Sequence, residues 1–206
     1  MKNFTLYTFV LSCFTMLAQV QYSAFEQIVE AEMKSAASHQ HVINNINTAN
    51  YDVVYQRLEF TVNPGIYFIS GSVTTQFTAL SSMSSITFDL TNQLSVSSVT
   101  QNGNNLSFSQ SESELVITLP ATLAAGQQSE VKVNYSGLPG FENNSFTISE
   151  HNGIPIMSTL SEPYGAMEWW PCKQDLNDKI GSLDVYITAP AQYTSVSNGI
   201  EVSQTV

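Results

Sequence analysis

Positive charge is scarce in this sequence. Lys and Arg number 6 against 17 Asp and Glu, for a formal net charge of −11. A nucleic-acid partner would want a basic stripe, and none is present. Attraction to an anionic membrane surface is disfavoured for the same reason. Cysteine is scarcer still, with only Cys13 and Cys172. If a leader carrying Cys13 is removed, no intrachain disulfide can form. His39, His41 and His151 have no acid or cysteine at metal-ligand intervals, so no zinc-ligand spacing exists. The first two read as solvated linker residues, and His151, before Asn152-Gly153, reads as a turn residue. Beyond the N-terminus no apolar run is long enough to predict a transmembrane helix.

The N-terminus has the pattern of an export signal. Lys2 supplies a short positive region, Phe4 to Leu17 form a nearly uncharged apolar run, and Ala18 offers a small residue for cleavage. Residues 1–18 therefore read as a signal peptide, with the mature chain starting near Gln19. A lipoprotein signal, with Leu11-Ser12 before Cys13, is the rival reading. Both place the protein in a secreted, periplasmic or cell-surface location. Residues 19–49 read as a short helix followed by a polar linker. Phe25, Ile28, Val29 and Met33 have helical spacing, with Ser23 available as N-cap.

From Tyr51 onward the period changes to two. Strands are predicted over 51–62, over 66–80 with Gly71 a candidate kink, and over 85–90. A hairpin is predicted around Asn102-Gly103, then strands over 114–120, 129–137 and 181–190, and a last hairpin-like pair around Asn198-Gly199. Leu115, Ile117 and Leu119 fall on one face, as do Val131, Val133 and Tyr135, and Leu183, Val185 and Ile187. About eight strands at short spacing predict an all-β domain over 50–206, an antiparallel two-sheet sandwich or saddle-like arrangement. The stretch 136–160 is long, turn-rich and unpatterned, which points to a functional or mobile loop.

Rare residue types gather just beyond it, in "SEPYGAMEWWPCKQDLNDK". On composition alone this is an aromatic plug at the edge of the core, with Cys172 a small buried hydrophobe. Lys173, Asp175, Asp178 and Lys179 then form a solvated turn whose ion pairs are worth ~0–1 kcal/mol each. Cys172 has no identifiable base, which argues against a nucleophile.

The same stretch, continued through "IGSLDVYITAP" and "SVSNG", resembles a signature of the aminopeptidase N / leukotriene-hydrolase family of zinc metallopeptidases. In that family a Gln or Glu stands nine positions before a Pro-Cys pair near the end of the N-terminal β domain. Here these are Glu162 and Pro171-Cys172. The preceding strands fit the family's opening as well, so the resemblance covers about residues 50–206. Met167-Glu168 stands where the family often has an Arg pair, and Lys173-Gln174-Asp175 replaces its acidic-acidic-Pro. The "WWPCKQDLNDK" form resembles secreted bacterial members.

The resemblance implies that Glu162 reaches into the active site and binds the free α-amine of a peptide substrate, with Trp169 and Trp170 bracing its loop. It also implies zinc in the parent enzyme, held by a His-Glu-x-x-His helix whose Glu acts as general base. That motif is missing from this sequence, as is Gly-x-Met-Glu-Asn. The expectation is therefore an N-terminal domain truncated before its catalytic domain, a partner in cis, and a fragment that hydrolyses nothing alone. An alternative of another class is a stand-alone extracellular binding or adhesion module, in which exposed Trp169 and Trp170 stack on sugar or peptide.

Overall fold

Alternating apolar and small polar side chains let a strand bury one face while the other meets water, and this pattern fills most of the chain after residue 50. The computed structural model describes residues 45–205, so the leader and the helix expected over 23–38 lie outside the described residues. A 3₁₀ turn at Ile46–Thr48, capped by the Asn45 side chain, leads into β1 (Tyr51–Asn63). The strands that follow are β2 (Ile66–Ala79), β3 (Met83–Asp89), β4 (Leu94–Gln101), β5 (Asn104–Asn105) and β6 (Phe108–Ser111). After them come β7 (Glu114–Leu123), β8 (Gln128–Gly137), β9 (Phe146–His151), β10 (Ile154–Thr159) and β11 (Ser182–Thr188).

A six-stranded sheet runs in the order β11-β1-β2-β8-β4-β5, and a three-stranded sheet in the order β3-β7-β6. Strands β9 and β10 form a separate hairpin. Residues from both larger sheets share one buried core: Val53, Phe60, Ile69, Val73, Phe77, Val131, Val133 and Tyr135 from one, Ile86, Phe88, Leu115 and Ile117 from the other. Tyr51 joins the layers. Its ring meets Phe88 edge-on at 5.9 Å, and its hydroxyl donates to the Thr87 carbonyl at 2.7 Å. The all-β, two-sheet expectation therefore holds, with eleven strands among the described residues instead of about eight.

Four details differ from the sequence reading. Strand β11 pairs parallel to β1, so the large sheet is not wholly antiparallel. Parallel neighbours cannot be joined by a tight turn, and here the whole chain from β2 through β10 lies between the two strands. Gly71 does not kink β2, which pairs without a register shift there on both sides. It is needed for close approach, because a Cβ would stand 2.6 Å from the Glu59 carbonyl oxygen. The segment 136–160 is not unpatterned, since β9 and β10 pair across a turn at Asn152-Gly153 in which both residues have positive φ. The hairpin-like pair expected around Asn198-Gly199 does not form. Val196, Ile200 and Val202 are 85–95% exposed, and an isolated hairpin with nothing to bury is marginal in water.

Candidate functional site

The segment that carries Glu162 begins where β10 ends and returns to the core at Trp170. Two backbone bonds close it into a compact loop. Leu160 N–H donates to the Ser145 carbonyl at 2.8 Å, and Gly165 N–H donates to the Ser161 carbonyl at 2.8 Å. The Glu162–Pro163 peptide bond is cis. A one-turn 3₁₀ helix, Ala166–Glu168, follows.

Glu162 itself is exposed, and among the described residues no hydrogen bond or ion pair engages its carboxylate. It is neither folded into the sheet core nor held by a lysine. A carboxylate at such a position is available to an incoming cation.

The stretch that follows the loop is largely buried. Trp170 is 7% exposed and Cys172 is 2% exposed. Trp169, half-buried, packs on Phe60 with ring centroids 5.0 Å apart and on Trp170 at 6.2 Å. Its carbonyl accepts the Tyr135 hydroxyl at 2.8 Å. Cys172 pairs its backbone with Asp89 through two bonds of 2.7 and 3.1 Å. Burial pushes the Cys172 thiol well above its ordinary value, with Asp89 adding to the shift, which makes it a packing residue and a poor nucleophile. The tryptophans are thus an aromatic plug at the edge of the core and not an exposed stacking surface.

The sequence reading missed Glu168. It is 4% exposed, and its carboxylate turns inward. One oxygen accepts the backbone N–H of Asn143 at 2.6 Å and the Asn143 side-chain amide at 3.0 Å. The other accepts the Ser145 N–H at 3.0 Å. The Glu168 carbonyl accepts the Gly140 N–H at 2.6 Å. The Tyr67 hydroxyl closes the same segment, donating to the Gly140 and Phe146 carbonyls at 3.1 and 3.2 Å. Burial raises the Tyr67 hydroxyl above its ordinary value, and the nearby Glu168 carboxylate raises it further.

Contrary to the solvated turn expected after the Pro-Cys pair, Lys173 and Asp178 form a buried ion pair at 2.6 Å, with side chains 5% and 7% exposed. The Lys173 ammonium also donates to the Tyr51 carbonyl at 2.6 Å and lies 4.8 Å from the Tyr51 ring centroid. Local spacing of charges suggested water, but the start of β1 covers them. Beside this pair, Asp89 accepts from the Asn45 side chain at 2.9 Å and from the Gln174 N–H at 2.9 Å. Burial raises its carboxyl above the usual range despite those two bonds.

The model of the peptidase M1 N-terminal domain family matches residues 47–206. The chain belongs to the M1 peptidase family, as its N-terminal domain. Solved structures agree. An M1 zinc metallopeptidase from Deinococcus radiodurans is 27% identical, with a TM-score of 0.69 over 80% of this chain and 37% of that one. A mutant of an M1 zinc metallopeptidase from the same organism, bound to a Tyr-Ser-Ala substrate, is 28% identical, with a TM-score of 0.67 over 76% of this chain and 37% of that one. A two-domain M1 zinc metallopeptidase mutant bound to L-arginine gives the same figures of 28%, 0.67, 76% and 37%. This M1 domain therefore spans a little over a third of the length of those structures. No curated protein matches it significantly.

Those relatives are zinc metallopeptidases. No group of three His, Cys, Asp or Glu side chains converges among the described residues of this M1 domain.

Proposed function

We propose that this M1 domain supplies the substrate's amine anchor in a zinc aminopeptidase, with metal chemistry residing on a catalytic domain in cis. One observation carries the reading: Glu162 presents an exposed, unengaged carboxylate on a loop whose ends are tied by backbone bonds. A peptide's free α-amine is protonated near neutral pH and donates up to three hydrogen bonds. A carboxylate shielded from water by a second domain would accept them as charge-assisted bonds, about twice as strong as neutral ones. A fixed carboxylate also measures off one residue from the reacting bond, which is what an exopeptidase requires. The ligands named for the similar structures, L-arginine and Tyr-Ser-Ala, share a free α-amine and support the reading. Export rests on the leader-like pattern of residues 1–18.

The test is Glu162→Ala in the full-length peptidase. KM for aminoacyl substrates is expected to rise roughly 10- to 100-fold, as for loss of one charge-assisted bond worth ~1.5–3 kcal/mol, with zinc content unchanged. Equal KM values before and after the change would reject the anchor role.

A further inference from the structure

Glu162 is exposed, so something else must hold it in place. Its loop is fixed by the bonds at Leu160 and Gly165 and by the packing of Gly165, and two of these three run through Ser145. Ser145 is 1% exposed. Its carbonyl takes the Leu160 N–H. Its hydroxyl sits so close to the Gly165 Cα that a side-chain carbon there would overlap it. Ser145 thus touches the loop at both ends, on either side of Glu162.

Ser145 is in turn held by Glu168. The Glu168 carboxylate spans Asn143 and Ser145, gathering three N–H donors, while its backbone belongs to the 3₁₀ turn that leaves the Glu162 loop. Gly140 lies flat against the Glu168 side chain, where a Cβ would meet Cγ at 2.9 Å. A closed circuit results: the Glu162 loop, Glu168, the 143–145 turn, and back to the loop at Leu160. Burying a carboxylate is costly unless it is hydrogen-bonded, and here both oxygens accept from donors of this single turn. A residue placed only to pack would be better served by Leu or Met, which carry no such cost.

We infer that Glu168 is a positioning residue for amine recognition: its buried carboxylate sets the 143–145 turn, and Ser145 then sets the place of the Glu162 carboxylate. This inference rests on the reading of Glu162 as the amine anchor. Glu168 does not touch the substrate. It acts by keeping the loop from sliding along the surface, and a displacement of about 1 Å in a binding group can cost up to about 100-fold.

The experiment compares two inhibitors on the full-length peptidase: an amino-acid hydroxamate and its des-amino counterpart. Their Ki ratio reads amine recognition alone, since the metal-binding group is common to both. Glu162→Ala should collapse the ratio. Glu168→Gln offers an amide in place of one acceptor oxygen, loses at least one of the three bonds, and should lower the ratio roughly 10-fold or more. In the double variant the ratio should be no lower than in Glu162→Ala, because two residues acting through one contact are not additive. If Glu168→Gln cannot be recovered folded, Glu168→Asp, whose shorter side chain cannot span both N–H groups, is read the same way.

A purely structural Glu168 would lower the melting temperature with the ratio intact, and that result overturns the inference while leaving the anchor reading standing. If Glu162→Ala leaves the ratio intact, the anchor reading itself fails and takes this inference with it. Additive losses in the double variant would show that Glu168 works by some other route, and likewise overturn it.

Discussion

The Lys173 ammonium lies 2.6 Å from the Asp178 carboxylate in a site where both side chains are more than nine-tenths buried. This pair fastens the chain after the Pro-Cys dipeptide to β1, because Lys173 also donates to the Tyr51 carbonyl and Asp178 accepts the Val53 N–H at 3.3 Å. Removing one partner leaves a buried charge without compensation. Lys173→Met is expected to destabilise the chain by ~3–5 kcal/mol in urea unfolding. The double variant Lys173→Met/Asp178→Leu should recover much of that loss. A single variant as stable as the parent would show that the site is wet.

Glu59 gives the acid limb of stability a specific cause. Burial pushes its carboxyl up, but hydrogen bonds from Lys132, Ser72 and Arg57 together outweigh burial and bring it down to about 2 from the ordinary 4.5. A depressed folded-state value means stability that is complete above about pH 4.5 and lost as pH falls toward 2. The cations are 41% and 42% exposed, so solvent screening keeps the effect to about 1 kcal/mol or less. The stability difference between the parent and Glu59→Gln should therefore shrink across that window and weaken with added salt. A difference that stays flat from pH 5 to 2 would contradict it. Asp89, raised by burial, works in the opposite direction and is common to both proteins.

Gly165→Ala tests the loop's seat without altering any charge. The new methyl would overlap the Ser145 hydroxyl and stand 2.7 Å from the Leu160 carbonyl oxygen. Overpacking of this kind costs ~1–3 kcal/mol. Adding Ser145→Gly should restore only part of it, since the backbone carbonyl remains in the way. Unchanged thermal stability in Gly165→Ala would mean the loop has room to move.

Intrinsic fluorescence reads the aromatic plug directly, because Trp169 and Trp170 are the 2 tryptophans of the chain. Emission is expected to be blue-shifted and poorly quenched by iodide. Trp170→Phe should leave a redder, more accessible signal from half-buried Trp169. Strong quenching in the parent would revive the stacking surface of a binding module.

The strands were legible because period-two alternation is a local property: Leu115, Ile117 and Leu119 announce their shared face within five residues, and all three are buried. The β9–β10 hairpin escaped notice although its turn, Asn152-Gly153, was visible. The short strand carries Pro155, which is tolerated because β10 has a free edge. Glu162 was legible only through family resemblance, since one acid in a loop carries no chemistry by itself. Glu168 was not legible at all. Its partners, Asn143 and Ser145, lie 25 and 23 residues away, and no pattern in the sequence pairs them.

By itself the sequence determined the alternating strands, the two-sheet β architecture and the place of the aromatic Pro-Cys stretch at its end. Those follow from side-chain polarity repeated at the period of the backbone. Only the tertiary structure decided which charges are buried, that β11 runs parallel to β1, and that Glu168 faces inward while Glu162 faces out. These depend on which distant segments cover a residue, and burial, unlike periodicity, is a property of the whole folded chain.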